Sequence, residues 1–112
     1  MSKFDDCMAD FKKQLDKIGV SYDEDLLTKV AKGLGPSIYN RDASTVAGSD
    51  KSELARVKTN FLIKKLGLKD GPALDDAIAD VIKQIGTGTK NKYRAVVYYL
   101  LVKKLGKESA YG

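Results

Sequence analysis

The chain has no histidine, one cysteine and two prolines among its 112 residues. Without histidine, no imidazole can serve as base, nucleophile or metal ligand, so most familiar catalytic constellations are excluded at once. Cys7 alone cannot close an internal disulfide or build a thiolate metal cluster. A single unpaired thiol fits a reducing compartment, which makes cytoplasm the expected location. Long apolar runs are lacking too. The longest, Ala95 to Val102, has eight residues, against the roughly 20 that a bilayer-spanning helix needs. The first residues, Met1-Ser2-Lys3-Phe4-Asp5-Asp6, place acids where a signal peptide needs an apolar stretch. Neither a membrane nor a cofactor is expected.

What remains is the composition of one soluble domain, 43% hydrophobic and 31% charged. A chain of this length buries roughly 65% of its unfolded surface, enough for a modest core. Its net charge of +5 is unevenly placed. Residues 1–85 carry fourteen Lys/Arg and fourteen Asp/Glu, whereas residues 86–112 carry Lys90, Lys92, Arg94, Lys103, Lys104 and Lys107 against Glu108 alone. Such asymmetry can attract polyanions, although a solvated basic end that serves solubility is the preferred reading.

Periodicity predicts five helices. Phe4, Met8, Phe11, Leu15 and Ile18 fall on one face of a helix over about residues 2–18, with Cys7 joining the stripe as a small core residue. A second helix, about 23–34, opens on Asp23, Glu24 and Asp25, where the dipole favours negative charge, and turns Leu26, Leu27, Val30, Ala31 and Leu34 inward. A third, about 50–66, is capped by Ser49 or Asp50 with support from Glu53. A fourth, about 72–85, has Asp70 as its cap and Pro72 near its first position. The fifth, about 91–105, is apolar all round in its middle and belongs at the centre of the bundle. Each periodic stretch stops at a glycine: Gly19, Gly35, Gly67, Gly86 or Gly106.

The expected fold is therefore all-α. It is a compact five-helix domain with an ordered core over about residues 2–106. Asp25–Gly35 aligns with Asp76–Gly86, and Lys51–Gly67 with Lys90–Gly106. This suggests two related helical hairpins packed with an N-terminal helix. The first hairpin holds twelve extra residues between its helices.

The run Asp23 to Asn40, together with Asn60 to Gly67 and Asn91 to Val96, resembles a small family of bacterial proteins catalogued only as a domain of unknown function. The resemblance covers nearly the whole chain. It implies a compact bacterial domain and supplies no activity, cofactor or catalytic residue.

Two segments are candidate sites. The 36–49 stretch is long for a structureless connection, and such loops are often functional. Ile38 and Tyr39 would anchor it, and Tyr39, Asn40, Arg41 and Asp42 would be presented to a protein partner. A plain surface loop is the competing reading. The second segment is Thr87, Gly88, Thr89, Lys90, Lys92 and Arg94, a Gly/Thr turn leading into a helix start that carries three cations. Cations there oppose the helix dipole, and a bound phosphate would reverse that penalty. The competing reading is an N-terminus capped by Thr89 or Asn91 with solvated lysines. The Walker spacing is absent.

Other features read as structure. Gly33-Leu34-Gly35-Pro36 resembles the hairpin of helix-hairpin-helix DNA-binding modules, but both glycines are read as helix-ending residues. Tyr93, between Lys92 and Arg94, could stack on a base. Tyr98 and Tyr99 fall in the buried run, as core residues with satisfied hydroxyls. The carboxylates Asp5/Asp6, Asp23/Asp25 and Asp75/Asp76/Asp80 sit at helix starts or on exposed faces, with no apolar pocket to tune them for acid–base work. The expected function is a non-enzymatic binding module, with a protein as the preferred partner. The alternative is weak binding of nucleic acid or another polyanion through the basic helix start.

Overall fold

The first helix, α1 (Lys3–Lys17), carries Asp5 and Asp6 in its first turn and buries Met8, Phe11, Gln14 and Leu15. The second, α2 (Glu24–Leu34), is capped by the Asp23 carboxylate, which accepts from the Asp25 N–H at 3.0 Å and the Leu26 N–H at 3.3 Å. Five residues of 3-10 helix follow, Gly35–Tyr39, with Ile38 buried. A short strand β1 (Thr45–Val46) comes next. Helix α3 (Lys51–Arg56) is capped by Asp50 and runs into a π-helical stretch, Val57–Ile63. Then come α4 (Pro72–Ile85), strand β2 (Lys92–Tyr93), α5 (Arg94–Leu105) and a last 3-10 turn, Glu108–Tyr111. The structure is a computed structural model and describes residues 3–40, 44–46, 50–86 and 92–111.

The all-α architecture and its five helices are as the periodicity predicts. Gly19, Gly35, Gly67, Gly86 and Gly106 all have positive φ, from +63° to +114°. Gly67 shows why this matters. Its left-handed turn lets the Leu68 N–H reach back to the Leu62 carbonyl at 3.0 Å, which closes the π-helical end. In α5 every residue from Ala95 to Val102 is buried, and the helix packs against α1, α2 and α4. The buried hydrophobic side chains form one cluster. The radius of gyration is 12.9 Å, about what one compact domain of this length requires.

The structure corrects the sequence reading in several places. The third helix is not regular α throughout: the Lys64 N–H bonds the Thr59 carbonyl and the Leu66 N–H bonds the Phe61 carbonyl, both spanning five residues, at 3.1 and 3.0 Å. The wider turn lets Val57, Phe61, Leu62 and Leu66 all point inward. Asp70 does not cap α4. Its carboxylate lies 2.7 Å from Lys58 Nζ, and Gly71 stands at the cap position without a side-chain bond. Gly33 does not end a helix, because α2 continues to Leu34.

The 36–49 connection is not structureless. Besides the 3-10 turn, its strand β1 pairs antiparallel with β2, Thr45 opposite Tyr93 and Val46 opposite Lys92. This strand pair also moves the start of the fifth helix from the expected Asn91 to Arg94. The two halves proposed as related hairpins keep similar glycine stops but differ locally. Helix α2 begins one residue before Asp25 whereas α4 begins four before its counterpart Asp76, and the π-helical stretch is matched against regular helix in α5.

Candidate functional site

The small sheet joins the two segments that the sequence singles out. The Arg94 N–H donates to the Ser44 carbonyl at 2.7 Å, so the end of the 36–49 connection is tied directly to the first turn of α5. The Arg94 guanidinium bonds the Glu53 carboxylate, donates to the Tyr98 hydroxyl at 3.3 Å and reaches the Thr45 carbonyl at 3.4 Å. Burial works against its charge, but the bonds from Tyr98 and Glu53 outweigh it and hold the guanidinium above its ordinary range. Glu53, expected to support the cap of α3, instead clamps α3 to α5.

Two cations proposed for an anion are thus built into the fold. Lys92 is only 5% exposed and Arg94 is paired with Glu53. Thr87, Gly88, Thr89 and Lys90 lie outside the described residues. Farther along α5, Lys104 Nζ lies 3.3 Å from Asp80 and Lys103 Nζ lies 3.8 Å from Glu108. Tyr93 does not stand ready for a base. Its ring packs edge-on against Phe11, with centroids 5.3 Å apart, and its N–H donates to Gln14 Oε1 at 3.1 Å. Gln14, a buried amide in an otherwise apolar stripe, is the residue that seats β2 on α1. Its position, three after Phe11 and four before Ile18, puts it on the inward face, a signal that the apolar stripe alone passes over.

Ile38 anchors the 36–49 stretch as expected, but Tyr39 does not: it and Asn40 are exposed, whereas Arg41 and Asp42 lie outside the described residues. Tyr39 is 48% exposed, the large hydrophobic side chain left to solvent among the described residues. It stands at a cleft of about 490 Å³ between α1, the 3-10 turn and the sheet. Phe11 and Tyr93 line it with Ile38, and Cys7, Asp10, Ser44 and Thr45 complete its walls. The sequence reading placed Cys7 in the core. It is half-buried at this cleft, and its thiol donates to the Ile38 carbonyl at 3.5 Å.

The cleft does not activate the thiol or the phenol on its walls. Burial, with help from Asp10 and Asp6, pushes the Cys7 thiol up, which leaves less thiolate at neutral pH. Burial does the same to the Tyr93 phenol, with Asp10 and Cys7 adding to it. Iodoacetamide should therefore alkylate Cys7 at least about tenfold more slowly in the folded chain than in urea at the same pH. Mass spectrometry of timed aliquots measures this, and equal rates would contradict the placement of Cys7. Among the described residues no group of three or more His, Cys, Asp or Glu side chains is placed to hold a metal ion, and no helix is long and apolar enough to cross a membrane.

Residues 7–109 match the model of a family described as "Protein of unknown function (DUF2853)". No curated protein matches the chain.

Proposed function

The chain belongs to the DUF2853 family of proteins of unknown function, and from the geometry of its own residues we propose that it is a non-enzymatic binding module of the bacterial cytoplasm that takes hold of another protein at the Tyr39 cleft. The observation that carries this reading is a half-exposed tyrosine at the edge of an open cleft of about 490 Å³. Aromatic rings that are amphipathic and rigid are favoured anchors in protein interfaces, since they bury much area for little lost side-chain freedom. The cleft walls set a carboxylate at Asp10 and the hydroxyls of Ser44 and Thr45 around apolar surface from Phe11 and Ile38, so a partner would be held by polar contacts as well as by apolar burial. The clamp from Arg94 to Glu53 and Thr45 fixes one wall, so the cleft is pre-shaped before a partner arrives.

The basic last quarter supports the protein reading over the polyanion one. Three of its six cations, Arg94, Lys103 and Lys104, face Glu53, Glu108 and Asp80 within the fold, and Lys92 is buried. A photo-crosslinking amino acid in place of Tyr39 should yield a discrete adduct in a lysate of the source cells. The same probe in place of Lys83 on α4 should not, and Thr45→Arg should suppress the Tyr39 adduct by filling the cleft. Equal adducts from both positions would sink the assignment. Labelled mixed-sequence DNA that binds at about 50 mM salt and lets go at about 200 mM would favour the polyanion reading instead.

A further inference from the structure

A second surface lies on α2, and it shares no lining residue with the Tyr39 cleft. The 3-10 turn Glu108–Tyr111 lies across it. Glu108, Ser109 and Ala110 are exposed, and the turn is held at two points three residues apart. At one, Glu108 faces Lys103 at 3.8 Å in an exposed ion pair. At the other, the Tyr111 ring lies on Gly33, with Lys65 Nζ 5.0 Å from its centroid. A Cβ at residue 33 would stand 3.4 Å from Tyr111 Cε1, so an alanine would just touch the ring and a longer side chain would displace it. This gives the mid-helix glycine a purpose that helix termination does not.

The turn does not fill its groove. A cavity of about 320 Å³ remains on one side, lined by Asp25, Lys29 and Lys103. Another of about 200 Å³ remains on the other, lined by Asn60, Phe61, Lys65 and Tyr98. The second cavity opens onto the π-helical stretch, whose Phe61 stacks on Tyr98 with centroids 3.8 Å apart. Irregular helical turns of this kind recur at functional positions. Lys103 faces a ligand carboxylate at one end, in a cavity where Lys29 is balanced by Asp23 and Asp25, while Lys65 and the aromatic stack suit a ring at the other.

We propose that this groove docks a short helical turn of a partner protein bearing a carboxylate and, three residues later, an aromatic ring, and that Glu108–Tyr111 occupies it in cis as a self-ligand. The resident turn supplies the recognition chemistry directly, because it shows which groups the groove accepts and at what spacing. Of its two holds the exposed ion pair contributes little, so the Tyr111 ring, packed against the hydrophobic core, is the contact a competitor must replace. It also lowers the groove's apparent affinity for any competitor by the fraction of time it is bound.

The test uses the full chain carrying Tyr111→Ala, with the acetylated and amidated peptide Lys-Glu-Ser-Ala-Tyr as probe. Backbone amide shifts at Gly33 and Lys65 should move saturably as peptide is added. The unmodified chain should bind the same peptide about tenfold more weakly, as expected if its own turn is closed about nine-tenths of the time. Peptides with Tyr→Ala or Glu→Gln should lose most of the effect. Equal affinity for both chains, shifts confined to the Tyr39 cleft, or no saturable shift would each overturn the proposal. Should Tyr111→Ala fail to fold, the unmodified chain gives an independent readout. Burial, with a contribution from Tyr98, pushes the Tyr111 phenol up to about 12. Unlabelled peptide in excess should bring the carbon-13-labelled Tyr111 titration back toward about 10, the ordinary phenol value. A Tyr111 titration that excess peptide leaves unmoved overturns the proposal as well. Failure here leaves the Tyr39 reading intact, since the two surfaces are probed at different residues.

Discussion

Arg94→Ala should cost about 3 kcal/mol of folding stability, far more than a charge change on the surface. The Arg94 and Glu53 side chains are only 16% and 14% exposed, so removing the guanidinium leaves a poorly hydrated carboxylate with only the longer Arg56 contact, at 3.7 Å. It also removes the bonds to the Tyr98 hydroxyl and the Thr45 carbonyl. Glu53→Gln should be milder, because the amide oxygen can still accept from the guanidinium and Arg94 keeps its bonds to Tyr98 and Thr45. The double change Glu53→Leu with Arg94→Met should recover much of the loss, since two apolar side chains of similar size need no partner. Urea denaturation followed by circular dichroism measures all three. A loss below about 1 kcal/mol for Arg94→Ala would mean that water screens the pair as it does an exposed one. The local consequence is separable from the global one. The residue 94 amide, bonded to the Ser44 carbonyl, should exchange faster than amides in the middle of α5, because the strand pair loses its clamp before the core opens.

The helices were legible because period and punctuation agree. Phe4, Met8, Phe11 and Leu15 repeat at helical spacing, Gly19 closes the stretch, and the same logic holds through Leu105 and Gly106. The all-apolar middle of α5 placed it at the centre correctly. Other features were hidden because they depend on contacts distant in sequence. A two-residue strand has no periodicity to detect, so the pairing of Thr45–Val46 with Lys92–Tyr93 left no local signal. Val57, Phe61, Leu62 and Leu66 follow at spacings of four, one and four, which are helical step by step, so the widened turn that brings all four to one side had no separate signal. Arg94 looked like an available cation because Glu53, its partner, lies 41 residues earlier and read naturally as part of a capping box. Gly33 looked like a stop because Tyr111 is far away in the chain. Tyr39 was legible as a loop residue, but the cleft beside it was not, since its walls come from α1, the 3-10 turn and both strands.

The second large effect comes from Tyr99, and here two substitutions divide packing from hydrogen bonding. The side chain is 1% exposed, among the largest fully buried side chains, and its hydroxyl accepts from the Asp23 N–H at 2.7 Å. Asp23 is the cap of α2, so one phenol fastens the start of that helix to the middle of α5 across 76 residues. Tyr99→Phe keeps the ring and removes the acceptor. It should cost about 1–2 kcal/mol, the penalty of leaving a partly buried N–H unpaired. Tyr99→Ala removes the ring as well and opens a cavity that the surrounding helices close only in part. Its cost should be about 4 kcal/mol, a large share of the roughly 5–15 kcal/mol that holds a domain together. The difference between the two variants isolates packing at the centre of the bundle. If instead Tyr99→Phe and Tyr99→Ala were equally destabilising in urea, the hydroxyl would dominate and α5 would not be the packed centre of the fold. The Phe variant should also speed hydrogen exchange in the first turn of α2 while leaving α4 unchanged, because the lost bond anchors Asp23 alone.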